Sequence, residues 1–516
     1  MSAMFSLVKS AAVLGIDAYI VNVECNLSNS QLPRFITVGL PEGAVKESKE
    51  RVMSAVKNTG YYISSNKIVI NLAPADIRKE GSAFDLPISI GILCAAERVS
   101  AKRLNDYVIL GELSLDGSLR GIRGALPIAV SIRDEPSIKG IILPKENARE
   151  AAIAGGLSVI GVTSLQETID FLNGDYQPDP IQVNVEELFE QKRVYEQDFS
   201  DVKGQEHAKR ALEVAAAGAH NIIMIGPPGS GKTMLAKRFP SILPNLTLDE
   251  ALETTKIHSV AGLIPGDEGI VATRPFRSPH HTISDAALVG GGKLPRPGEV
   301  SLSHHGVLFL DELPEFKKNV LEVLRQPMEN NVVTISRAQM SLSYPANFIL
   351  VGAMNPCPCG YSTDPNNECT CTPVQIQRYM SKISGPLMDR IDIHIEVPAV
   401  KISELSTKSV GERSDSIRKR VQRARQRQTI RFEDYPGIHA NADMNTKMIR
   451  RFCEIDKVGE TLLQNAITKL GLSARAYDRI LKVSLTIADL SGSDNILPEH
   501  IAEAIQYRSL DRQLWL

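Results

Sequence analysis

The pattern of apolar positions changes character twice along the chain. Over residues 1–180, short β-rich runs such as AYIVNVEC, KIVINLAP and GIILP alternate with stretches whose apolar residues recur at helical spacing, which predicts an α/β domain. The segment DYQPDPIQ (175–182) has two prolines and no apolar periodicity, and reads as a linker. Residues 195–400 form a second unit. It holds the apolar run NIIMIG, a Gly/Pro-rich turn, the helical segment TMLAKRF and, much later, the apolar run GVLFLD. Strand, turn, helix and strand in that order predict a parallel sheet with crossover helices. Residues 401–516 are helical in pattern and richly charged.

Composition narrows the class. A chain of 516 residues, 43% hydrophobic and 23% charged, is long enough for several domains with their own cores, so collagen-like, disordered and mini-protein readings fall away. Lys and Arg number 58 against 60 Asp and Glu, which excludes a uniformly basic nucleic-acid coat while leaving room for a local basic stripe. Seven cysteines are too few for a secreted disulfide framework, and four of them crowd into 357–371, a spacing suited to metal chemistry in a reducing compartment. The N-terminal apolar run is cut by Asp17 and makes a poor signal peptide. The longest uncharged stretch, 214–231, contains His220, Asn221, two prolines and four glycines, so it makes no spanning helix. A cytoplasmic protein with no membrane attachment is expected.

The clearest chemistry lies at Gly226, Pro227, Pro228, Gly229, Ser230, Gly231, Lys232 and Thr233, which match G-x-x-x-x-G-K-[ST] between an expected strand and an expected helix. Glycines let backbone N–H groups turn inward around phosphates. Lys232 can neutralise the β and γ oxygens, and the Thr233 hydroxyl can hold Mg²⁺. A chance glycine-rich turn would lack those flanking elements. Asp311, at the end of GVLFLD, would reach the Mg²⁺, and Glu312 would polarise a water for attack on the γ-phosphorus. A third run, NFILVGAMN, ends at Asn355, placed to orient the same water.

Together these residues resemble the ComM/YifB family, in the magnesium-chelatase-like branch of the AAA+ ATPases. The resemblance runs through DVKGQEHAKRALEVAAAGAHNIIMIGPPGSGKT, PFRSPHHTISDAALVGGG, GVLFLDELPEF, VGAMNPCPCG, SGPLMDRIDIHIEVP and LSARAYDRILKVSLTIADL, and NLAPADIRKEGSAFDLP with GELSLDGSLRGIRGALPI extends it towards the N-terminus. It implies a hexameric, ATP-driven DNA helicase that promotes branch migration in homologous recombination during natural transformation. It also implies that Lys232 and Thr233 are the Walker A pair, Asp311 and Glu312 the Walker B pair, and Asn355 sensor 1. Arg390 takes the place of the trans-acting arginine finger and Arg475 that of sensor 2 in a helical lid. For either arginine the bland alternative is a surface salt bridge. Leu485 departs from the family pattern, which has a basic residue there. The first 175 or so residues resemble the proteolytic (S5-like) domain of Lon-type peptidases. The Ser and Lys of that dyad fall on Ala83 and Pro127, and Ser82 reads as a turn serine, so a scaffold or contact surface is implied in place of a peptidase.

Cys357, Cys359, Cys369 and Cys371 flank a polar loop and suit a closed tetrahedral Zn²⁺ site; four reduced cysteines or an oxidation-labile pair are the alternatives. Cys25, Cys94 and Cys453 read as core residues. Candidate DNA contacts are Arg337, at the tip of the hairpin-like segment VVTISRAQMSLSYPANFIL, with Lys293 and Arg296 in a second loop. Arg420, Arg423 and Arg427 belong to 413–431, which has eight basic residues and one acid; that segment suits phosphate contact or a solvated face equally. The pairs His280–His281 and His304–His305 suggest loop ordering or subunit contacts. ATP and Mg²⁺ are the expected cofactors; single-stranded and branched DNA, further copies of the chain and recombination proteins are the expected partners. The competing readings are a chelatase-type motor subunit that remodels a protein, and an ATP-dependent protease, which Ala83 and Pro127 disfavour.

Overall fold

The computed structural model describes residues 4–30, 34–41, 43–63, 66–75, 77, 79, 81–264, 269–292, 295–337, 340–365, 367–399 and 411–510. It divides into two compact units. One comprises Met1–Arg193 together with Leu248–Ala272, the other Val194–Thr247 together with Thr273–Leu516.

The first unit is built on a seven-stranded sheet of β1 (Met4–Leu14), β2 (Asp17–Asn29), β3 (Arg34–Val38), β4 (Asn66–Ala73), β5 (Tyr107–Ile109), β6 (Gly140–Pro144) and β7 (Ser158–Val162), in the order β3-β4-β2-β1-β5-β6-β7. Along β2, Val21, Val23, Cys25 and Leu27 alternate into the core, which fixes its register against β1 and β4. Two helices matter here, α1 (Ala44–Asn58) and α2 (Asp85–Ala95). The α2 sequence DLPISIGILCA is apolar nearly all round, and the helix is buried against β1 and β2. Its first residue, Asp85, accepts from Arg51 Nε at 2.6 Å and Nη2 at 3.0 Å, a paired geometry that keeps a buried carboxylate satisfied. The neighbouring Ser82 hydroxyl donates to Glu112, and Pro127 is buried in the helix Ala125–Ile132. The helix Leu248–Ala261 also belongs to this unit, although its sequence lies within the second: Ser259 O accepts from Gly124 N, and the Ser259 hydroxyl donates to buried Glu150.

The second unit holds the expected parallel sheet. Its strands are β8 (Ile222–Ile225), β9 (Phe276–Arg277), β10 (Val307–Leu310), β11 (Ile349–Met354) and β12 (Ile393–Glu396), in the order β9-β10-β11-β8-β12, and every pair is parallel. IIMI, VLFL and ILVGAM are buried throughout, as strands covered on both faces must be. Helices α3 (Glu206–Gly218), α4 (Lys232–Arg238), α5 (Ser414–Arg431) and α6 (Ala474–Ser491) complete the part that matters for the site. The C-terminal helices share one core with the sheet: Met224 and Val351 belong to the same buried cluster as Ala211, Ala215, Val421, Ala424, Ile480, Leu485 and Ile487. Leu485 is therefore a core residue of α6, which accounts for its departure from a basic side chain. On α5 the buried positions Ser414, Ile417, Val421, Ala424 and Gln428 form a narrow stripe at helical spacing.

Candidate functional site

β8 runs directly into Gly226, and the chain turns back through Gly229 and Gly231 at φ of 76° and 91°, values that a residue with a Cβ adopts only under strain. Lys232 then opens α4 with its side chain folded over the loop. Its Nζ donates to Gly226 O at 2.7 Å and Pro227 O at 2.9 Å, and lies 3.3 Å from Ser230 Oγ and 3.4 Å from Asn355 Oδ1. Burial lowers this ammonium from 10.5 to about 8, with Asp311 pulling in the opposite direction. The Thr233 hydroxyl donates to Asp311 Oδ2 at 2.8 Å, so a hydroxyl and a carboxylate converge where hard oxygen ligands suit Mg²⁺. The C-terminal ends of β8, β10 and β11 thus gather Lys232, Thr233, Asp311 and Asn355 into one site. Glu312 follows Asp311 in the left-handed region, φ 51°. Its Oε2 lies 3.4 Å from His281 Nδ1, and the His281 ring meets Phe316 edge-on. Sequence reasoning gave His281 a role in loop ordering or subunit contacts and missed this pairing. The signal available to it was only the adjacency of two histidines.

Arg390 and Arg475 stand elsewhere. Asn221, immediately before β8, accepts through its backbone O from the N–H groups of Asp392 and Ile393, and its side chain donates to Arg390 O at 3.3 Å. Arg390 therefore sits at the opposite end of the parallel sheet from the phosphate loop, a four-residue strand or roughly 13 Å away. Its guanidinium donates to Pro386 O at 2.6 Å and to Glu329. Arg475, exposed in the first turn of α6, lies 3.6 Å from Asp389 Oδ2 at that same end. Beneath them is a buried charge cluster: Arg479 donates to Asp392, His220 Nδ1 is 3.1 Å from Asp392 Oδ2, and His220 Nε2 is 2.8 Å from Thr486 Oγ1. Burial alone would raise the Asp392 carboxyl, but Arg479 and then His220 hold it well below the usual range. Arg479 also reaches Arg390 O, at 3.4 Å.

The four cysteines converge. Cys357 Sγ is 3.3 Å from Cys359 Sγ and 3.8 Å from Cys369 Sγ, Cys359 and Cys369 are 3.6 Å apart, and all four sulfurs lie within 4.8 Å of one another. Sulfurs about 2.3 Å from a common tetrahedral centre would stand ~3.8 Å apart, so the set fits Zn²⁺. A backbone N–H from Tyr361 draws the Cys359 thiol down to about 6. Cys371 receives a backbone N–H from Cys359, yet burial and the adjacent sulfurs push it up to about 12. Crowded thiols that resist ionising together are what a bound cation relieves.

The candidate DNA contacts fare unevenly. Lys293 lies outside the described residues. Arg337 ends the first strand of the hairpin Val332–Arg337 with Met340–Pro345, and Arg296 is exposed in a short ladder with Gly291. Arg420 and Arg427 are engaged by acids of the same chain. Arg420 is paired with Glu213 and Glu412, while Arg427 pairs with Asp494 and donates to Ser493 O at 2.9 Å. Glu213 and Asp494 come from other segments, and Glu412 stands just ahead of the counted run, so the charge count over 413–431 includes none of them. Arg423 is exposed, with Nε donating to Lys419 O. His304 and His305 are structural: His304 Nδ1 accepts from Asn347 N and His305 N donates to Asn347 O.

Comparison with known proteins places the chain among relatives. Residues 198–405 match the family described as magnesium chelatase, subunit ChlI; 23–147 match subunit ChlI of Mg-chelatase, and 411–508 the C-terminal part of that subunit. The chain is 44% identical over 513 residues to the competence protein ComM of Haemophilus influenzae, covering 99% of this chain and 98% of the relative. Identity and coverage are the same for the uncharacterized protein YifB of Escherichia coli. The chloroplastic magnesium-chelatase subunit ChlI of Glycine max is 22% identical over 348 residues, 61% of this chain and 74% of that protein.

Proposed function

The chain belongs to the ComM/YifB family of magnesium-chelatase-like AAA+ proteins, and on that premise we propose that it is a hexameric, ATP-hydrolysing DNA translocase that drives branch migration in homologous recombination during natural transformation. One observation carries the reading. The phosphate loop follows one end of β8, while Arg390, with Arg475 beside Asp389, lies at the other, an arrangement that favours service to a neighbour's nucleotide over the chain's own. A ring of copies puts one copy's arginine end against the next copy's loop.

Within each such junction Lys232 leaves the carbonyls of Gly226 and Pro227 for the β- and γ-phosphate oxygens. Thr233 and Asp311 would hold Mg²⁺, which when bound neutralises phosphate charge. Glu312 polarises the attacking water, Asn355 orients it, and the neighbour's Arg390 stabilises the charge that develops on the γ-phosphoryl group; such fingers contribute roughly 10³ to 10⁵ in rate. Arg475 of the same neighbour assists from the first turn of α6. Arg337 on its hairpin, with Arg296, Lys293 and Arg423, would follow the phosphate backbone without reading sequence. The family's tie to competence, in the name of the Haemophilus influenzae relative, supports single-stranded and branched DNA as substrate, with recombination proteins as partners. No described helix is long and apolar enough to cross a membrane, and a cytoplasmic site of action suits this role.

The test is ATP hydrolysis and strand movement measured with and without forked or four-way DNA at two salt concentrations. Stimulation that fades as salt rises is expected. A second reading, a chelatase-type motor subunit that remodels a protein, draws on the ChlI family matches along the chain. Absence of DNA stimulation, with hydrolysis instead elicited by a protein partner, would favour it.

A further inference from the structure

The four-cysteine cluster touches the phosphate loop. Gly360, which follows Cys359, has φ 91°; its N–H donates to Cys357 O at 3.0 Å and lies 3.2 Å from Cys357 Sγ. A Cβ placed on Gly360 would stand 2.6 Å from Cδ and 2.7 Å from Cγ of Pro228 in the loop, and 3.9 Å from Cγ of Asn355. Only a residue without a side chain fits there. Asn355, two positions before Cys357, reaches Lys232 at 3.4 Å. The short segment 355–360 therefore bears on the loop at two points, Pro228 and Lys232. What ties this segment to Cys369 and Cys371 is chiefly sulfur, because the intervening residues GYSTDPNNE offer little apolar surface to pack.

We propose that Cys357, Cys359, Cys369 and Cys371 bind one Zn²⁺, and that the turn fastened by this metal is a clasp that holds the phosphate loop in the shape that receives a triphosphate. The proposal rests on the reading of 226–233 as the nucleotide cradle and adds control of that cradle by metal occupancy. In physical terms the bound ion removes the freedom of the nine-residue loop between the ligand pairs, and that restraint passes through Gly360 to Pro228.

The experiment uses the full chain without DNA. Metal content is measured by atomic emission, and affinity for a fluorescent ATP analogue by titration, in the native protein, after zinc removal by a chelator, and in Cys371→Ser and Gly360→Ala. Expected are one zinc per chain, a roughly tenfold loss of nucleotide affinity on chelation or in Cys371→Ser, and a similar loss in Gly360→Ala with zinc retained. Circular dichroism checks that each protein is folded; if Cys371→Ser fails to fold, chelation and Gly360→Ala carry the test. Purified protein without zinc, or full nucleotide affinity after its removal, overturns the clasp. Lys232→Ala separates the two levels: unchanged nucleotide binding in that variant defeats the cradle and the clasp together, whereas its loss alongside full affinity in zinc-free protein defeats the clasp alone.

Discussion

Lys232 holds a cation in a poor environment for one. Its ammonium is buried, and its hydrogen bonds are to carbonyls that a phosphate would replace. With its value lowered to about 8, part of the population is neutral at mildly alkaline pH, and an arriving triphosphate restores the proton. The bound state thus holds more protons than the empty one above about pH 8, so nucleotide affinity is expected to fall as pH rises through that region. Calorimetric titration in buffers of different ionisation enthalpy would register the proton uptake; affinity flat from pH 7 to 9 would contradict it. Glu312 and His281 form the second residue-scale case. Replacing His281 by Ala leaves the Glu312 carboxylate unaimed, and turnover is expected to drop roughly tenfold with nucleotide affinity little changed. A matching loss of affinity would mean that His281 only supports the fold. The phosphate loop could be read from the sequence because all its parts are adjacent in the chain. The His281–Glu312 pair could not, because neighbouring parallel strands bring together residues separated by a whole crossover.

At the scale of elements, helix α6 does two jobs through residues one turn apart. Arg475 reaches outward to Asp389, while Arg479 reaches inward to buried Asp392 and to the carbonyl of Arg390. Arg479→Ala would leave that carboxylate buried with His220 as its remaining close partner, a loss expected to cost about 3–5 kcal/mol in urea denaturation. A change under 1 kcal/mol would show that the cluster is not structural. The Asp392 value lies below that of an unfolded aspartate. Its stabilisation is therefore present above about pH 4 and disappears as pH falls through the folded value, so acid unfolding of Arg479→Ala should begin at higher pH than that of the parent. Periodicity revealed α5 and α6 as helices. It could not tell which arginines were spoken for, since Glu213 and Asp494, distant in sequence, meet Arg420 and Arg427 only in the folded chain.

For the whole molecule, the proposed division of labour between copies has a measurable signature. Lys232→Ala and Arg390→Ala should each abolish hydrolysis alone, yet mixing them should recover part of it, because some junctions then combine an intact loop with an intact arginine. Recovery is read as phosphate release against mixing ratio, and none at any ratio would refute a shared site. The proline-bearing segment 175–182 reads as a linker that closes the first of three expected domains. The chain passes from one compact unit to the other three times, because Leu248–Ala272 returns to the first before the second is complete. A protein starting at 195 would expose Ala251 and Ile257 and strip Ser259 of Glu150; one ending at 193 would leave Glu150 without the hydroxyl that offsets its burial. Neither half can be severed at one point and left whole. Evolution and engineer alike must exchange them as a threaded pair, and any pull on one is delivered to the other through three tethers at once.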